Sequence, residues 1–231
     1  MHTLATTPAT LAAARPRGVI RKVARYQLRD VARSRWLAAY TLFFATASWA
    51  LLQFGGAGDR ALLSLLNVVL FVVPLVTIVF GTIYLYNARE FIELLLAQPV
   101  RRAQLFTGLY LGLVVPLSLA VVVGIAMPFL LTRGAAVAAR GNLVALSFVG
   151  VALTFVFTGF AALIATRNDD RLRGLGVAIS VWLLSALVYD GLVLLAVALF
   201  ADYPLERPML ALMLANPVDL ARIIMILRFD V

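Results

Sequence analysis

The chain of 231 residues contains no cysteine and a single histidine, His2. Without cysteine it can form neither disulfides nor thiolate metal sites, and it has no cysteine nucleophile. His2 lies in a Thr- and Ala-rich leader, residues 1–17, which we expect to be disordered. We therefore predict neither a metal nor another cofactor bound by this chain.

The sequence also lacks the residue patterns that identify common enzymes. It has no GxxxxGK[ST] loop to bind phosphate, so we do not expect this chain to bind or hydrolyse ATP by itself. It has no HExxH pair, no His–Ser–Asp set and no pair of aspartates embedded in apolar sequence. We predict that the chain is not an enzyme.

Long apolar stretches take the place of such motifs. Hydrophobic residues make up 63% of the chain and charged residues only 13%, against roughly 45–50% and 25% in soluble domains. Each stretch approaches or exceeds the roughly 20 residues that cross a bilayer, and each is apolar on all sides. Because only a helix satisfies the backbone of such a segment in lipid, the sequence predicts an all-α polytopic membrane protein. Its transmembrane domain is expected over 37–200, with spans at 37–54, 61–86, 105–132, 142–165 and 174–200.

The positive charges indicate how these spans are oriented. The net charge is +9. With the predicted spans, fourteen of the 20 Lys and Arg residues lie on the same side of the membrane as the N-terminus. By the positive-inside rule the N-terminus is expected in the cytoplasm. The basic excess is then a topology signal and an attraction to anionic lipid, so we do not predict nucleic-acid binding.

Residues 18–36 differ from the spans because apolar and basic side chains separate onto two sides. This pattern predicts an interfacial amphipathic helix in the cytoplasmic headgroup layer, with Trp36 at the turn into the first span. A basic tail solvated in the cytoplasm is the alternative interpretation.

The loop after the second span has a helical segment of its own. An apolar run beginning at Phe91 follows Arg89 and Glu90, and Pro99 is expected to end the helix. We predict an amphipathic helix over 88–98 on the cytoplasmic face, which either docks a partner or lies at the membrane interface. In the next cytoplasmic loop, Asp169 and Asp170 are expected to be solvated partners of Arg167 and Arg171.

A few polar residues lie inside the predicted spans. An ionised Asp190 would cost about 2.5–3.5 kcal/mol at the bilayer centre and less toward the surface. With Tyr189 and Asn67 it is a candidate for a substrate path or dimer seam. The alternative for Asp190 is a local hydrogen bond to Ser185, Tyr189 or a neighbouring helix, and Asn67 equally suits a hydrogen bond between helices.

The tail, 201–231, is apolar but interrupted. Asn216 suits a helix N-cap and Pro217 the first helical position, so we expect a helix to begin there. We interpret the tail as an external re-entrant or interfacial segment, and a sixth span is the alternative.

Several of these segments resemble permeases of the ABC-2 type. In that family an acidic stretch, a Leu-rich core and a Pro-x-Arg close form the coupling helix that contacts the ATPase subunit. The matching residues here run Arg89-Glu90-Phe91-Ile92-Glu93-Leu94-Leu95-Leu96-Ala97-Gln98-Pro99-Val100-Arg101-Arg102, followed by Gly108-Leu109-Tyr110-Leu111-Gly112. The segment 26–36 is similar to the family's amphipathic elbow helix.

Three further motifs resemble the permease branch of nitrous-oxide reductase maturation, also called the NosY or copper-processing branch. They are Leu28-Arg29-Asp30 with Ser34-Arg35-Trp36, Val188-Tyr189-Asp190, and Asn216-Pro217-Val218-Asp219-Leu220-x-Arg222.

The resemblance implies an ABC-2 exporter-type helical bundle with six spans, of which five are visible. It implies a bacterial inner-membrane homodimer on two ATP-binding subunits, which bind the ATP, and a periplasmic accessory protein. The implied cargo serves copper and sulfur processing. The residues implied in ATPase coupling are Arg89, Glu90, Phe91, Glu93, Leu94, Arg101 and Arg102. A chain that ends before the sixth span is expected to be either a natural short form or a C-terminal truncation.

Two other classes of protein stay open. A secondary transporter would show internal repeats and broken polar helices at the midplane, and neither is evident. A non-transporting scaffold or accessory subunit is compatible with the missing sixth span. The transported substrate and its direction do not follow from the sequence.

Overall fold

The computed structural model of this chain describes residues 25–26, 28–54, 58–89, 102–132, 141–199 and 214–229, and within these ranges the regular structure is helical. We number the helices in chain order. They are α1 (Arg35–Phe54), α2 (Gly58–Asn87), α3 (Arg102–Thr132), α4 (Asn142–Arg167), α5 (Arg171–Leu183), α6 (Tyr189–Leu199) and α7 (Pro217–Phe229). A π-helical turn, Leu184–Val188, joins α5 to α6 without a break.

Five helical segments of the described chain are long and apolar enough to cross a membrane: α1 to α4, and α5 with the π turn and α6. The predicted all-α polytopic class with five spans is confirmed. Some helices begin a few residues before the apolar stretch, because polar residues continue or cap them. The fifth span begins at Arg171, where the Asp170 side chain accepts a hydrogen bond from the Leu172 amide at 2.9 Å.

The two ends of the bundle differ in character. We call the end that carries Arg35, Arg89, Arg102, Arg167 and Arg171 the basic end, and the other the opposite end. In the middle, α2 packs mainly on α4 and also on α5, while α3 packs on α1 and α4. The core between them is filled by fully buried apolar side chains, among them Phe44, Leu65, Ile125 and Phe157.

Small residues let several of these helices approach closely, as in other membrane bundles. A Cβ atom added at Gly124 of α3 would lie 2.7 Å from the Phe44 Cβ and 2.9 Å from the Thr41 carbonyl oxygen of α1. At Gly150 of α4 it would lie 2.8 Å from a methyl carbon of Val121 on α3. These glycines therefore set the separation of α1, α3 and α4.

Proline does not interrupt the spans. Helix α2 continues through Pro74, and α3 continues through Pro116 and Pro128. From the sequence, proline at these positions is expected to kink the helix unless neighbouring helices satisfy the carbonyl groups that it frees. Near Pro74 a neighbouring helix does donate, since Trp182 Nε1 on α5 lies 3.1 Å from the Phe71 carbonyl oxygen, next to the Leu70 carbonyl that Pro74 frees.

The last part of the predicted amphipathic segment contacts the basic end. Val31 is fully buried, and the Tyr84 hydroxyl of α2 donates to Asp30 Oδ2 at 2.8 Å. Arg29 and Arg33 are exposed. One side thus faces the bundle and the other is basic, as the sequence pattern indicates. The leader 1–17 and residues 18–24 lie outside the described residues.

Helix α7 begins where the sequence predicts, with Asn216 Oδ1 accepting a hydrogen bond from the Val218 amide at 3.2 Å. It packs on α4, on α2 and on the π turn. Asn216 contacts Ser185, midway along the fifth span, whereas a Cβ at Gly141, beside the opposite end of α4, would lie 2.7 Å from Arg228 Nη2. The 13 residues of α7 rise about 20 Å. The helix therefore runs from the middle of the bundle to its opposite end without crossing it.

Candidate functional site

The start of the predicted coupling helix is tied to the end of α4. Arg89 Nη2 donates to the carbonyl oxygens of Asn168 at 2.7 Å and Ala165 at 3.0 Å, and Nη1 donates to that of Asp169 at 3.0 Å. The last carbonyl groups of a helix have no partner within it, and a cation is favourable at that end. Arg89 thus serves as a C-terminal cap for α4, although it follows α2.

Tyr86, one turn before Arg89, strengthens the same connection. Its hydroxyl donates to the Asn168 carbonyl oxygen at 2.9 Å, and the Arg89 guanidinium lies 4.9 Å from the centre of its ring. On α5, Gly174 lies against this ring: a Cβ there would overlap the hydroxyl and lie 2.7 Å from Cε2 and Cζ. We call the contacts among Tyr86, Arg89, Gly174 and the 165–169 backbone the basic-end latch.

A cleft of about 320 Å³ opens beside the latch, between α2, α3 and α4. Apolar side chains such as Phe106 and Leu113 form most of its wall, while Arg89 and Asp169 lie at its edge. The end of α2 is held by the latch to α4, whereas α3 packs on α1 and α4.

The latch corrects one expectation about the loop after α4. We expected Asp169 and Asp170 to be solvated partners of Arg167 and Arg171. Instead, Asp169 Oδ1 lies 3.4 Å from Arg89 Nη2, and Asp170 caps α5. Both aspartates are exposed, as expected. The assignment of partners was wrong, because it favoured arginines next to the aspartates in sequence over Arg89, which is 80 positions from Asp169.

Only part of the predicted coupling set can be located. Arg89 belongs to the latch, and Arg102 is exposed at the first residue of α3. The remaining members, Glu90, Phe91, Glu93, Leu94 and Arg101, lie outside the described residues. Their predicted roles, and the helix 88–98, stay predictions.

A second group of polar residues lies where α7 meets the fifth span. The Asn216 amide nitrogen donates to the Ser185 carbonyl oxygen in the π turn at 2.7 Å and to Asp219 Oδ2 at 2.9 Å. In the π turn the hydrogen bonds reach one residue further than in an α-helix, as from the Tyr189 amide to the Leu184 carbonyl oxygen. Asn216 thus links the start of α7 to the backbone of the π turn by a hydrogen bond.

Two carboxylates share one guanidinium group in this cluster. Arg222 Nη1 donates to Asp190 Oδ2 at 2.8 Å and lies 3.4 Å from Asp219 Oδ1. The side chains of Arg222 and Asp190 are about one-third exposed, at 35% and 36%, whereas that of Asp219 is 9% exposed. Burial, and then the neighbouring Asp190 carboxyl group, raise the pKa of Asp219 to about 6, although Asn216 and Arg222 act in the opposite direction. We call Asp190, Asn216, Asp219 and Arg222 the α7 cluster.

The structure places the three substrate-path candidates differently. Asp190 forms the hydrogen bond to a neighbouring helix that the local interpretation expects, and its role in a substrate path stays a prediction. Tyr189 precedes it at the end of the π turn. Asn67 is exposed and donates to the Leu63 carbonyl oxygen of its own helix at 3.3 Å, so it belongs to neither group.

Sequence reasoning did not identify the partners of Asp190. The available signal was the spacing of Asn216, Asp219 and Arg222, which places three polar side chains on one face of a short helix. A polar face on a helix in an apolar tail needs a polar neighbour. Asp190 could be that neighbour, because it is the acid inside the fifth span.

Five helical segments of spanning length, three of which are joined at the basic end by the arginine latch, define a multi-pass α-helical membrane protein. No family model matches the sequence. The chain is 29% identical over 229 residues to a Pseudomonas aeruginosa protein named "Probable ABC transporter permease protein NosY", which covers 92% of this chain and 83% of that protein. It is also 29% identical over 228 residues to the protein of the same name from Stutzerimonas stutzeri, covering 90% of this chain and 81% of that protein.

These relatives confirm the resemblance that the sequence motifs indicate. The chain is NosY-like and is similar to ABC transporter permeases over at least 90% of its length.

Proposed function

We propose that this chain is the membrane-spanning permease subunit of an ABC-2 type transporter in a bacterial inner membrane. In this proposal a separate subunit binds and hydrolyses the ATP that moves the substrate. The observation that carries it is the similarity to two NosY permeases along nearly the whole chain. The five spans and the arrangement at the basic end support it.

We propose that the basic end is cytoplasmic. Its support is the distribution of charge, since fourteen of the 20 Lys and Arg residues fall on that side of the spans. The segment 88–98 then faces the ATP-binding subunit, and α7 lies in the outer half of the membrane as a re-entrant helix. An ABC permease needs this polarity, because ATP is bound on the cytoplasmic side.

The latch offers a route for force. A coupling helix pushed by the closing ATP-binding subunits would pull on Arg89, the second residue of that helix after α2. Arg89 is held by three charge-assisted hydrogen bonds to the end of α4, and Tyr86 of the same latch packs on α5. Displacement of the segment is therefore expected to move the basic ends of α2, α4 and α5 together.

We propose a homodimer of this chain on two ATP-binding subunits. The fifth span supports this arrangement, because large apolar side chains along it, such as Leu183, Leu192 and Leu199, are exposed in one protomer. Side chains such as Leu187 and Leu194 are available to a second copy, or to lipid where the copy does not cover them. By the NosY likeness, the cargo would serve copper and sulfur processing for nitrous-oxide reductase maturation, with a periplasmic accessory protein on the outer face.

Co-purification with the ATP-binding subunit tests the proposal. Reversing two charges in the predicted coupling helix, Glu90→Lys with Glu93→Lys, is expected to reduce recovery of that subunit at least about tenfold, because like charges would then face a docking surface that accepts acidic groups. The double variant Asp202→Lys with Glu206→Lys makes the same change in net charge in the predicted external tail, and should leave recovery unchanged. Normal recovery with the coupling-helix variant would show that this segment does not dock the ATPase.

A further inference from the structure

The α7 cluster has an unbalanced charge. Two aspartates and one arginine give it a net charge of −1 when both carboxyl groups are ionised. Asp190 and Arg222 form a close pair at 2.8 Å, whereas Asp219 lies 3.4 Å from the same nitrogen. An uncompensated negative charge is unfavourable away from water, and the surrounding structure gains when something neutralises it.

Asp219 has a free acceptor atom where the compensating charge would bind. Its Oδ2 accepts from Asn216, but Oδ1 is buried and receives no hydrogen bond. The Asp190 carboxyl group is its neighbour, because Asp190 Oδ2 at 2.8 Å and Asp219 Oδ1 at 3.4 Å lie against the same nitrogen atom of Arg222. Two carboxyl groups in such contact repel when both are ionised, and one shared proton turns the repulsion into a hydrogen bond.

We propose that Asp190 and Asp219 form a proton-binding site, in which one proton is shared between the two carboxyl groups and holds α7 on the fifth span. The proton binds Asp219 Oδ1, the buried oxygen that receives no hydrogen bond. The neutral acid then donates to Asp190, which keeps its ion pair with Arg222. Loss of the proton leaves two carboxylates facing each other and weakens the contact between α7 and the π turn.

The other elements around α7 supply few charges that compete with this proton. On α4 the charged side chain is Arg167, at the basic end and thus far from the cluster. The described charged side chain of α2 is Arg60, in its first turn, and its tyrosines Tyr84 and Tyr86 lie in its last turn. Beyond the cluster, α7 itself carries Arg228, near Gly141. The fifth span adds Tyr189 beside Asp190.

The thermal stability of the full chain in lipid nanodiscs tests this site, whether or not the chain is a transporter subunit. The folded protein holds the proton on Asp219 more tightly than the unfolded chain does. The contribution of Asp219 to the free energy of unfolding is therefore complete below about pH 4 and is lost as the pH rises through about 6. We therefore expect the Tm of the wild type to fall by roughly 2–6 °C between about pH 5 and pH 7.5. Asp219→Asn imitates the neutral acid, so its Tm should stay near the acidic wild-type value over this range.

Two further variants separate the pair from other acids. Asp190→Asn removes the neighbouring charge, so the fall in Tm should move to lower pH. Glu206→Gln makes the matching change at an acid that is in neither the latch nor the α7 cluster, and should leave the wild-type profile unaltered. An infrared carboxylic-acid band that appears on acidification should be missing from Asp219→Asn. The proposal is overturned if Asp219→Asn keeps the wild-type pH profile, or if Tm follows the sodium concentration at fixed pH instead of the proton concentration.

Discussion

Replacement of Arg89 by glutamine is expected to disconnect the coupling segment from α4 and α5 while the ATP-binding subunit stays bound. Glutamine is too short and too poor in donors to reach the three carbonyl oxygens that Arg89 contacts at 2.7–3.0 Å. Hydrogen bonds from a charged donor contribute about 1.5–3 kcal/mol each when buried. The free energy lost per hydrogen bond in Arg89→Gln should be smaller than this buried value, because the Arg89 side chain is 33% exposed and water screens its charge.

The movement itself can be measured because the natural chain has no cysteine. A label on Leu172→Cys, whose parent side chain is 79% exposed beside the latch, reports the distance between the two protomers of the proposed dimer. With Arg89 present, ATP should change that distance. With Arg89→Gln the change should vanish, although the recovery of the ATP-binding subunit is normal.

Two controls show whether geometry or charge matters at this position. Arg89→Lys keeps the charge but loses the planar fork that reaches several acceptors at once, so it should respond like Arg89→Gln. Arg173→Gln removes an exposed guanidinium at the same end and should respond like the wild type. A full ATP-induced change in Arg89→Gln would refute the latch as the route for force.

The Gly174→Ala substitution is expected to be the most destabilising single change at the basic end. The added methyl group would overlap the Tyr86 hydroxyl and lie 2.7 Å from two ring carbons. The ring cannot move away without giving up its hydrogen bond to Asn168 and its contact with Arg89. We expect a loss of about 1–3 kcal/mol, the usual range for overpacking, observed as a lower Tm of the purified chain.

Gly176→Ala provides the matched control. Gly176 lies in the same helix, and a Cβ there meets nothing within 4 Å. Alanine is preferred over glycine within a helix by roughly 0.5–1 kcal/mol, so this variant should be as stable as the wild type or slightly more stable. Combining Gly174→Ala with Tyr86→Ala should recover part of the loss, because the overlap is gone. If Gly174→Ala and Gly176→Ala have the same Tm, the close contact with Tyr86 is absent.

The comparison of sequence and structure shows which features local composition determines. The spans follow from runs of apolar residues, because the bilayer imposes a length and forbids unpaired backbone groups. The start of α7 follows from the cap that Asn216 provides and the fixed backbone of Pro217. Each of these depends on residues that are near one another in the chain.

The latch and the α7 cluster depend on packing and could not be predicted in the same way. Arg89 was identified as a member of a motif, but its acceptors are backbone carbonyl groups, which every residue has. The partner of Asp190 lies 32 positions further on, at Arg222. The π turn that precedes Asp190 leaves no clear pattern in sequence. Such contacts follow only once the relative positions of α2, α4, α5 and α7 are known.

The most direct test of the proposed function is to determine on which side of the membrane the segment 88–98 lies. Glu93→Cys and Ala135→Cys, placed singly in the naturally cysteine-free chain, can be treated with a membrane-impermeant maleimide in intact spheroplasts and in inverted vesicles. We expect Glu93→Cys to react in inverted vesicles alone, and Ala135→Cys in spheroplasts alone. Reaction of Glu93→Cys in intact spheroplasts would place the coupling segment away from the ATP-binding subunit and contradict the proposed mechanism.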